Sequence, residues 1–205
     1  MALPVQVKVC GITNLADARA AVDAGAAALG FNFYARSPRC VSPEVAAEIT
    51  AHLPRSVCTV GVFVDERREQ VAAIAEQVGL GAVQFHGHED SAYCQGWKQK
   101  VIKAVRVGDR HAAVEAQAYR VAFILADAYV KGQLGGTGRR IPAELLEGFD
   151  RRRLILAGGL TAENVAEAIR AVHPFAVDVA SGIEYAPGKK DLALMKQFIA
   201  YVQAA

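Results

Sequence analysis

Two hydrophobic rhythms take turns along this chain. Eight short, β-branched apolar runs stand out: VQVKVCG (5–11), LGFNFY (29–34), VCTVGVFVD (57–65), AVQFHG (82–87), VIKAVRV (101–107), VAFILAD (121–127), LILAGG (154–159) and FAVDVASG (175–182). They recur roughly every 20 to 30 residues. Several are apolar almost throughout, as expected of parallel strands covered on both faces.

Helical patterns with readable ends fill the gaps. Thr13 or Asn14 can cap a helix with Asp17 in its first turn. Leu15, Ala18 and Val22 fall on one face of it, and Gly25 supplies the stop. Ser42 and Pro43 open a second helix, with Val45 and Ile49 inward. Asp65 can cap a third, with Val71, Ile74 and Val78 inward and Gly79 at its end. The pattern is weakest over 111–119. Thr161 caps a helix with Val165, Ile169 and Val172 inward, and Asp191 caps the last, with Leu192, Met195, Phe198 and Ile199 inward. Strand–helix alternation with no linker predicts one α/β domain over 1–205, a closed (β/α)8 TIM barrel. A doubly wound open sheet also alternates and is the competing architecture.

Composition narrows the function classes. The 23 basic residues nearly balance 21 acidic ones, a net charge of +2, so no basic face points to nucleic acid or an anionic membrane. The densest basic run, DRRRL (150–154), has no interleaved aromatics and reads as a solvated loop. No apolar stretch reaches the roughly 18 residues of a membrane span, and the N-terminus lacks a signal-peptide pattern. Cys10, Cys40, Cys58 and Cys94 show no C-x-x-C spacing, which suggests free thiols in a reducing cytoplasm.

A TIM barrel carries its chemistry at the C-terminal ends of its strands. The residues there are Cys10, then Arg36 and Arg39 in ARSPRC, His86, Asp127, the pair Gly158 and Gly159, and Ser181 with Gly182. The glycines let backbone N–H groups approach an anion, and the loops after strands seven and eight are the recurrent phosphate site of this fold. Asp127 ends an apolar strand, where burial favours a protonated carboxyl and hence an acid role; a structural acceptor is the plainer alternative. Cys10 is either buried filler or a base, since a thiol of pKa about 8.5 needs only modest lowering to serve near neutrality. Arg39 could grip a carboxylate through its fork of donors, or be an ordinary loop arginine. GGTG (135–138) reads as a loop that could close over a site. HGHE (86–89) with Cys94 offers no clear third metal ligand, and His88 and Glu89 read as the opening of a helix.

These blocks resemble the phosphoribosylanthranilate isomerases of tryptophan biosynthesis over nearly the whole chain. The likeness rests on KVCGITNLADA, GFNFYARSPRCVSPE, VGVFV, VQFHG, the aspartate followed by GGTG, LAGGLTAENVAEAI and DVASGIEYAPGKKD. After GGTG the chain reads RRIPAELL, where the family usually has an aromatic stretch. The resemblance implies an Amadori rearrangement of N-(5′-phosphoribosyl)anthranilate to 1-(2-carboxyphenylamino)-1-deoxyribulose 5-phosphate. It implies Asp127 as general acid and Cys10 as general base. Arg39 would hold the anthranilate carboxylate, and Gly158, Gly159, Ser181 and Gly182 the phosphate, with His86 as a further substrate contact. No metal or organic cofactor is implied, the one partner is the phosphoribosyl substrate, and a monomer is expected over a homodimer. The alternatives are a phosphosugar barrel isomerase shared between histidine and tryptophan synthesis, which pairs two aspartates, and a non-catalytic phosphate-binding protein.

Overall fold

The computed structural model describes residues 4–128 and 141–205; the GGTG loop at 135–138 lies outside the described residues. All eight apolar runs are strands: β1 (Gln6–Cys10), β2 (Ala28–Asn32), β3 (Cys58–Phe63), β4 (Ala82–Phe85), β5 (Lys100–Val107), β6 (Phe123–Ala128), β7 (Leu154–Leu156) and β8 (Ala176–Val179). Each pairs in parallel with the next, and β8 returns to β1 with Lys8 opposite Asp178. The sheet is therefore a closed barrel, and the open-sheet alternative is excluded.

Period two sorts the side chains. Val60, Ala82, Ile102, Ala104, Leu125, Ile155, Ala157 and Ala176 fill the barrel, while Val101, Val105, Ile124 and Ala126 point outward to the helices. Phe123 and Phe175 stack at 4.8 Å near the N-terminal ends of their strands. Above this apolar plug the same inward rows become polar, and the functional groups sit there.

Six α-helices are present among the described residues: α1 (Leu15–Ala24), α2 (Pro43–Ala51), α3 (Arg68–Val78), α4 (His111–Gln117), α5 (Val165–Val172) and α6 (Leu192–Gln203). None is long and apolar enough to cross a membrane. Asn14 caps α1 by accepting from Asp17 N at 2.9 Å, and Gly25 ends it at φ +105°. Ser42 and Asp191 cap α2 and α6 as expected. Two inward assignments are wrong by helical phase. Val45 is 40% exposed because Ala46 and Ile49 form the buried stripe of α2. Leu192 is 48% exposed because it sits in the first turn of α6, outside the stripe of Met195, Phe198 and Ile199. Two caps also differ. Asp65 leaves the N-terminus of α3 to Arg67 and turns to accept from His88 N, with its own φ at +51°. Thr161 uses its carbonyl, not its hydroxyl, for Val165 N, so Asn164 becomes the cap residue of α5.

No helix joins β4 to β5, so His88 and Glu89 do not open one. Glu89 is buried instead, accepting from Asp65 N and Gly87 N, each at 2.9 Å, and from Lys103 Nζ at 2.8 Å. Phe85, Tyr93 and Trp97 cluster beside it, with Arg68 4.2 Å over the Trp97 ring. This knot covers the barrel where a helix would have, and it fixes the segment after β4. The DRRRL run is not a plain loop either: Arg151–Arg153 form a 3-10 turn, capped by Asp150 accepting from Arg152 N.

Removing one partner of a buried ion pair strands the other charge. Lys103→Met is expected to lose about 3–5 kcal/mol of stability in urea unfolding, and Lys103→Met with Glu89→Leu to recover most of it.

Candidate active site

The C-terminal ends of the strands enclose a cleft of about 430 Å³. Cys10, Arg39, His86, Asp127, Gly158, Gly159, Ser181 and Gly182 all line it. Residues up to 172 positions apart in sequence are thus gathered on one rim, Cys10 and Gly182 being the extremes.

Cys10 is the last residue of β1, on the same face as Lys8 two residues before it. Lys8 is 2% exposed, lies 2.7 Å from Asp178 Oδ1 and is a close neighbour of the Cys10 thiol: a Cβ on Gly30 would come within 3.2 Å of Lys8 Nζ and 2.8 Å of that sulfur. Burial pulls the Lys8 ammonium down, but Asp178 and Cys10 together outweigh it and hold the group above the ordinary lysine value. Burial pushes the Cys10 thiol up, with Lys8 and Lys190 pulling it back and Asp178 adding to the rise. The net direction is upward, so the modest lowering that a base near neutrality would need is not supplied by these neighbours alone.

Arg39 lies with its stem across Gly11, where a Cβ would come within 2.6 Å of its Cδ. Its Nε and Nη2 edge is spent on Glu184, at 3.0 and 2.7 Å. The open fork read from sequence is therefore half used, and Nη1 remains for an incoming group. Glu184 opens the strand β9 (Glu184–Ala186), which pairs with β10 (Lys189–Lys190). Buried Lys190 ties that hairpin to the barrel: its Nζ donates to Cys10 O at 2.6 Å, Glu184 Oε1 at 2.8 Å and Ala180 O at 3.4 Å. Burial pushes the Glu184 carboxyl up, yet the bonds from Arg39 and Lys190 prevail and hold it below the usual carboxylate range.

Asp127 stands three strands from Cys10 by the way through β8 and β7. It is buried; Oδ1 accepts from Ala128 N at 2.9 Å and Oδ2 lies 3.2 Å from His86 Nε2. The Gln84 amide nitrogen is 3.1 Å from His86 Nδ1. With that amide donating, Nδ1 is an acceptor and the imidazole proton sits on Nε2, aimed at Asp127. Gln84 Oε1 is buried in the cleft wall without a hydrogen-bond partner among the described residues.

The two glycine loops close the far side. Gly158 has φ +85°, and a Cβ there would come within 2.7 Å of Ala128 N. Asn164 Nδ2 donates to Gly159 O at 2.9 Å, while its Oδ1 accepts from Thr161 N at 3.0 Å, so the cap residue of α5 also holds the loop. Neither Gly159 N nor Gly182 N meets a carbonyl among the described residues. Exposed backbone donors on two adjoining loops suit an anion.

Sequence reading missed Lys8, Gln84, Glu184 and Lys190. The signal for the first two was present: a charged or amide residue inside a strand covered on both faces is buried and needs a polar partner. Nothing local marks the last two, whose partners lie 145 and 180 residues away.

The family model described as "N-(5'phosphoribosyl)anthranilate (PRA) isomerase" matches residues 7–201. The chain belongs to this family. It is an isomerase of tryptophan biosynthesis. An N-(5'-phosphoribosyl)anthranilate isomerase of Pelobacter propionicus is 50% identical over 196 residues, covering 95% of this chain and 94% of that protein. The crystal structure of phosphoribosyl anthranilate isomerase from Thermotoga maritima is 43% identical, with a TM-score of 0.91 over 98% of this chain and 100% of that one. A second solved isomerase, in complex with reduced 1-(o-carboxyphenylamino)-1-deoxyribulose 5-phosphate, is 43% identical with a TM-score of 0.87 and the same coverage of both chains.

The Glu184 cluster gives a pH test. A depressed carboxyl adds stability that is present above the unfolded-state pKa and is lost as pH falls through the folded-state value. Glu184→Gln is therefore expected to unfold about 3 kcal/mol more easily than wild type at pH 7. That gap should narrow on acidification below about pH 4, read by urea unfolding at a series of pH values.

Proposed function

We propose that the cleft converts N-(5′-phosphoribosyl)anthranilate to 1-(2-carboxyphenylamino)-1-deoxyribulose 5-phosphate, with Asp127 as general acid and Cys10 as general base. The observation that carries the reading is the placement of a buried carboxyl and a half-buried thiol on well-separated strands around one small cleft, beside two glycine loops. Gly159 and Gly182 offer N–H groups to the phosphate, joined by Gly158 and Ser181 in shaping the cradle. The Nη1 end of Arg39 meets the anthranilate carboxylate. Gln84 Oε1, buried and unpartnered, accepts from a substrate hydroxyl. His86, bonded at both ring nitrogens, holds Asp127 more than it touches substrate.

Asp127 delivers a proton to the ribose ring oxygen, the C1′–O bond breaks, and the nitrogen lone pair forms a cationic Schiff base. The Cys10 thiolate then takes the proton from C2′. The C–H electron pair becomes the C1′=C2′ bond, and the C=N pair returns to nitrogen. The resulting enolamine tautomerises as C1′ gains a proton and the C2′ hydroxyl loses one. Oxidation at C2′ and reduction at C1′ balance within the substrate. The cation at C1′ also lowers the cost of a thiolate beside C2′, which matters because burial alone disfavours it.

Loss of the substrate's anthranilate fluorescence measures turnover. Cys10→Ala and Asp127→Asn are each expected to lower kcat by about 10²–10⁴-fold, with unchanged circular dichroism. Full activity in either variant would refute its assignment.

A further inference from the structure

A half-buried thiol whose environment pushes it toward the neutral form is a poor base unless something compensates the charge. Four charged groups face Cys10: Lys8 on its own strand, Asp178 on β8, Lys190 on β10 and Arg39 from the loop after β2. Lys190 has three protons, and three oxygens take them, those of Cys10, Ala180 and Glu184. Arg39 is turned onto Glu184. Lys8 is different. It spends one donor on Asp178 at 2.7 Å, and its ammonium and the sulfur flank the same space beside Gly30.

The barrel makes room for both groups. Lys8 and Cys10 are alternate residues of β1, so both project inward, and Gly30 is the residue opposite Cys10 on β2. A Cβ on Gly30 would fall 2.8 Å from the Cys10 sulfur and 3.2 Å from Lys8 Nζ. Any larger residue would wedge between the ammonium and the sulfur. On the other flank, Asp178 sits in register with Lys8 and fixes where its ammonium points.

We infer that Lys8, held in place by Asp178 beneath the cleft, is the positioning residue that balances the Cys10 thiolate while it takes the substrate proton. This rests on the reading of Cys10 as base. Lys8 gives up no proton in the step. The C2′ proton goes to sulfur, the thiolate becomes a thiol, and the ammonium stays charged throughout. Asp178 has the opposite influence on sulfur, since its carboxylate opposes a second negative charge nearby.

The two neighbours therefore predict changes of opposite sign, which a purely structural role would not give. The pH dependence of iodoacetamide alkylation at Cys10, followed on its own peptide by mass spectrometry, reads the thiol without relying on turnover. Lys8→Met should raise the alkylation midpoint by about one pH unit or more, and Asp178→Asn should lower it. The acid limb of kcat/KM should move with each midpoint. Should Lys8→Met fail to fold around an unpaired Asp178, Lys8→Met with Asp178→Asn removes both charges and should still raise the midpoint. A midpoint unmoved in the folded variant, with Cys10→Ala inactive, overturns the inference and spares the base assignment. An active Cys10→Ala enzyme overturns both.

Discussion

An ammonium and a carboxylate 2.7 Å apart, inside the barrel and across the seam where β8 meets β1, underlie the whole cleft. Such a pair is costly to desolvate, and apolar residues of similar volume would often serve stability as well or better. Its value lies in what it supports. Below it, small and branched apolar side chains plug the barrel. Above it stands Cys10, two residues along the same face of β1. The Lys8–Asp178 pair marks the level at which packing gives way to chemistry.

The rest of the site follows the same economy of pairing. Each buried lysine has a carboxylate beside it: Lys8 with Asp178, Lys103 with Glu89, and Lys190 with Glu184, which Arg39 also meets. Two of these pairs, Lys8–Asp178 and Arg39–Glu184, join residues 170 and 145 positions apart, so the cleft exists only when the barrel is closed. In the proposed reaction, side chains on the strands supply proton donors and acceptors, and backbone on the loops supplies donors for the phosphate. The division is physical. A strand end aims one side chain with little freedom, whereas a glycine loop presents N–H groups that no side chain obstructs.

All eight strands were legible because parallel strands covered on both faces must be apolar throughout, and that leaves a plain mark in sequence. That Cys10, Asp127 and the glycine pair would share one rim was legible because all of them stand at strand ends, and a closed barrel gathers those on one face. Lys8 was hidden in the middle of VKV, although its side chain must fall on the opposite face from its two buried valine neighbours, here the barrel interior. The helix expected at His88 failed because Glu89 found a buried partner in Lys103, which no local pattern announces. Val45 and Leu192 missed by about one helical position, since propensity and capping fix where a helix starts more loosely than packing fixes its phase. The direction in which Cys10 is shifted was out of reach. It depends on the balance of burial against Lys8, Lys190 and Asp178, three residues brought together by the fold.

The central claim is that the sulfur of Cys10 is the group whose ionisation limits proton abstraction. Labelling cysteine at Cβ with carbon-13 allows the Cys10 resonance to be titrated by NMR in the wild-type enzyme and overlaid on kcat/KM. The account predicts a thiol midpoint above the ordinary value and an acid limb of kcat/KM that coincides with it. A Cys10 resonance that stays flat while kcat/KM rises through its limb would contradict the account.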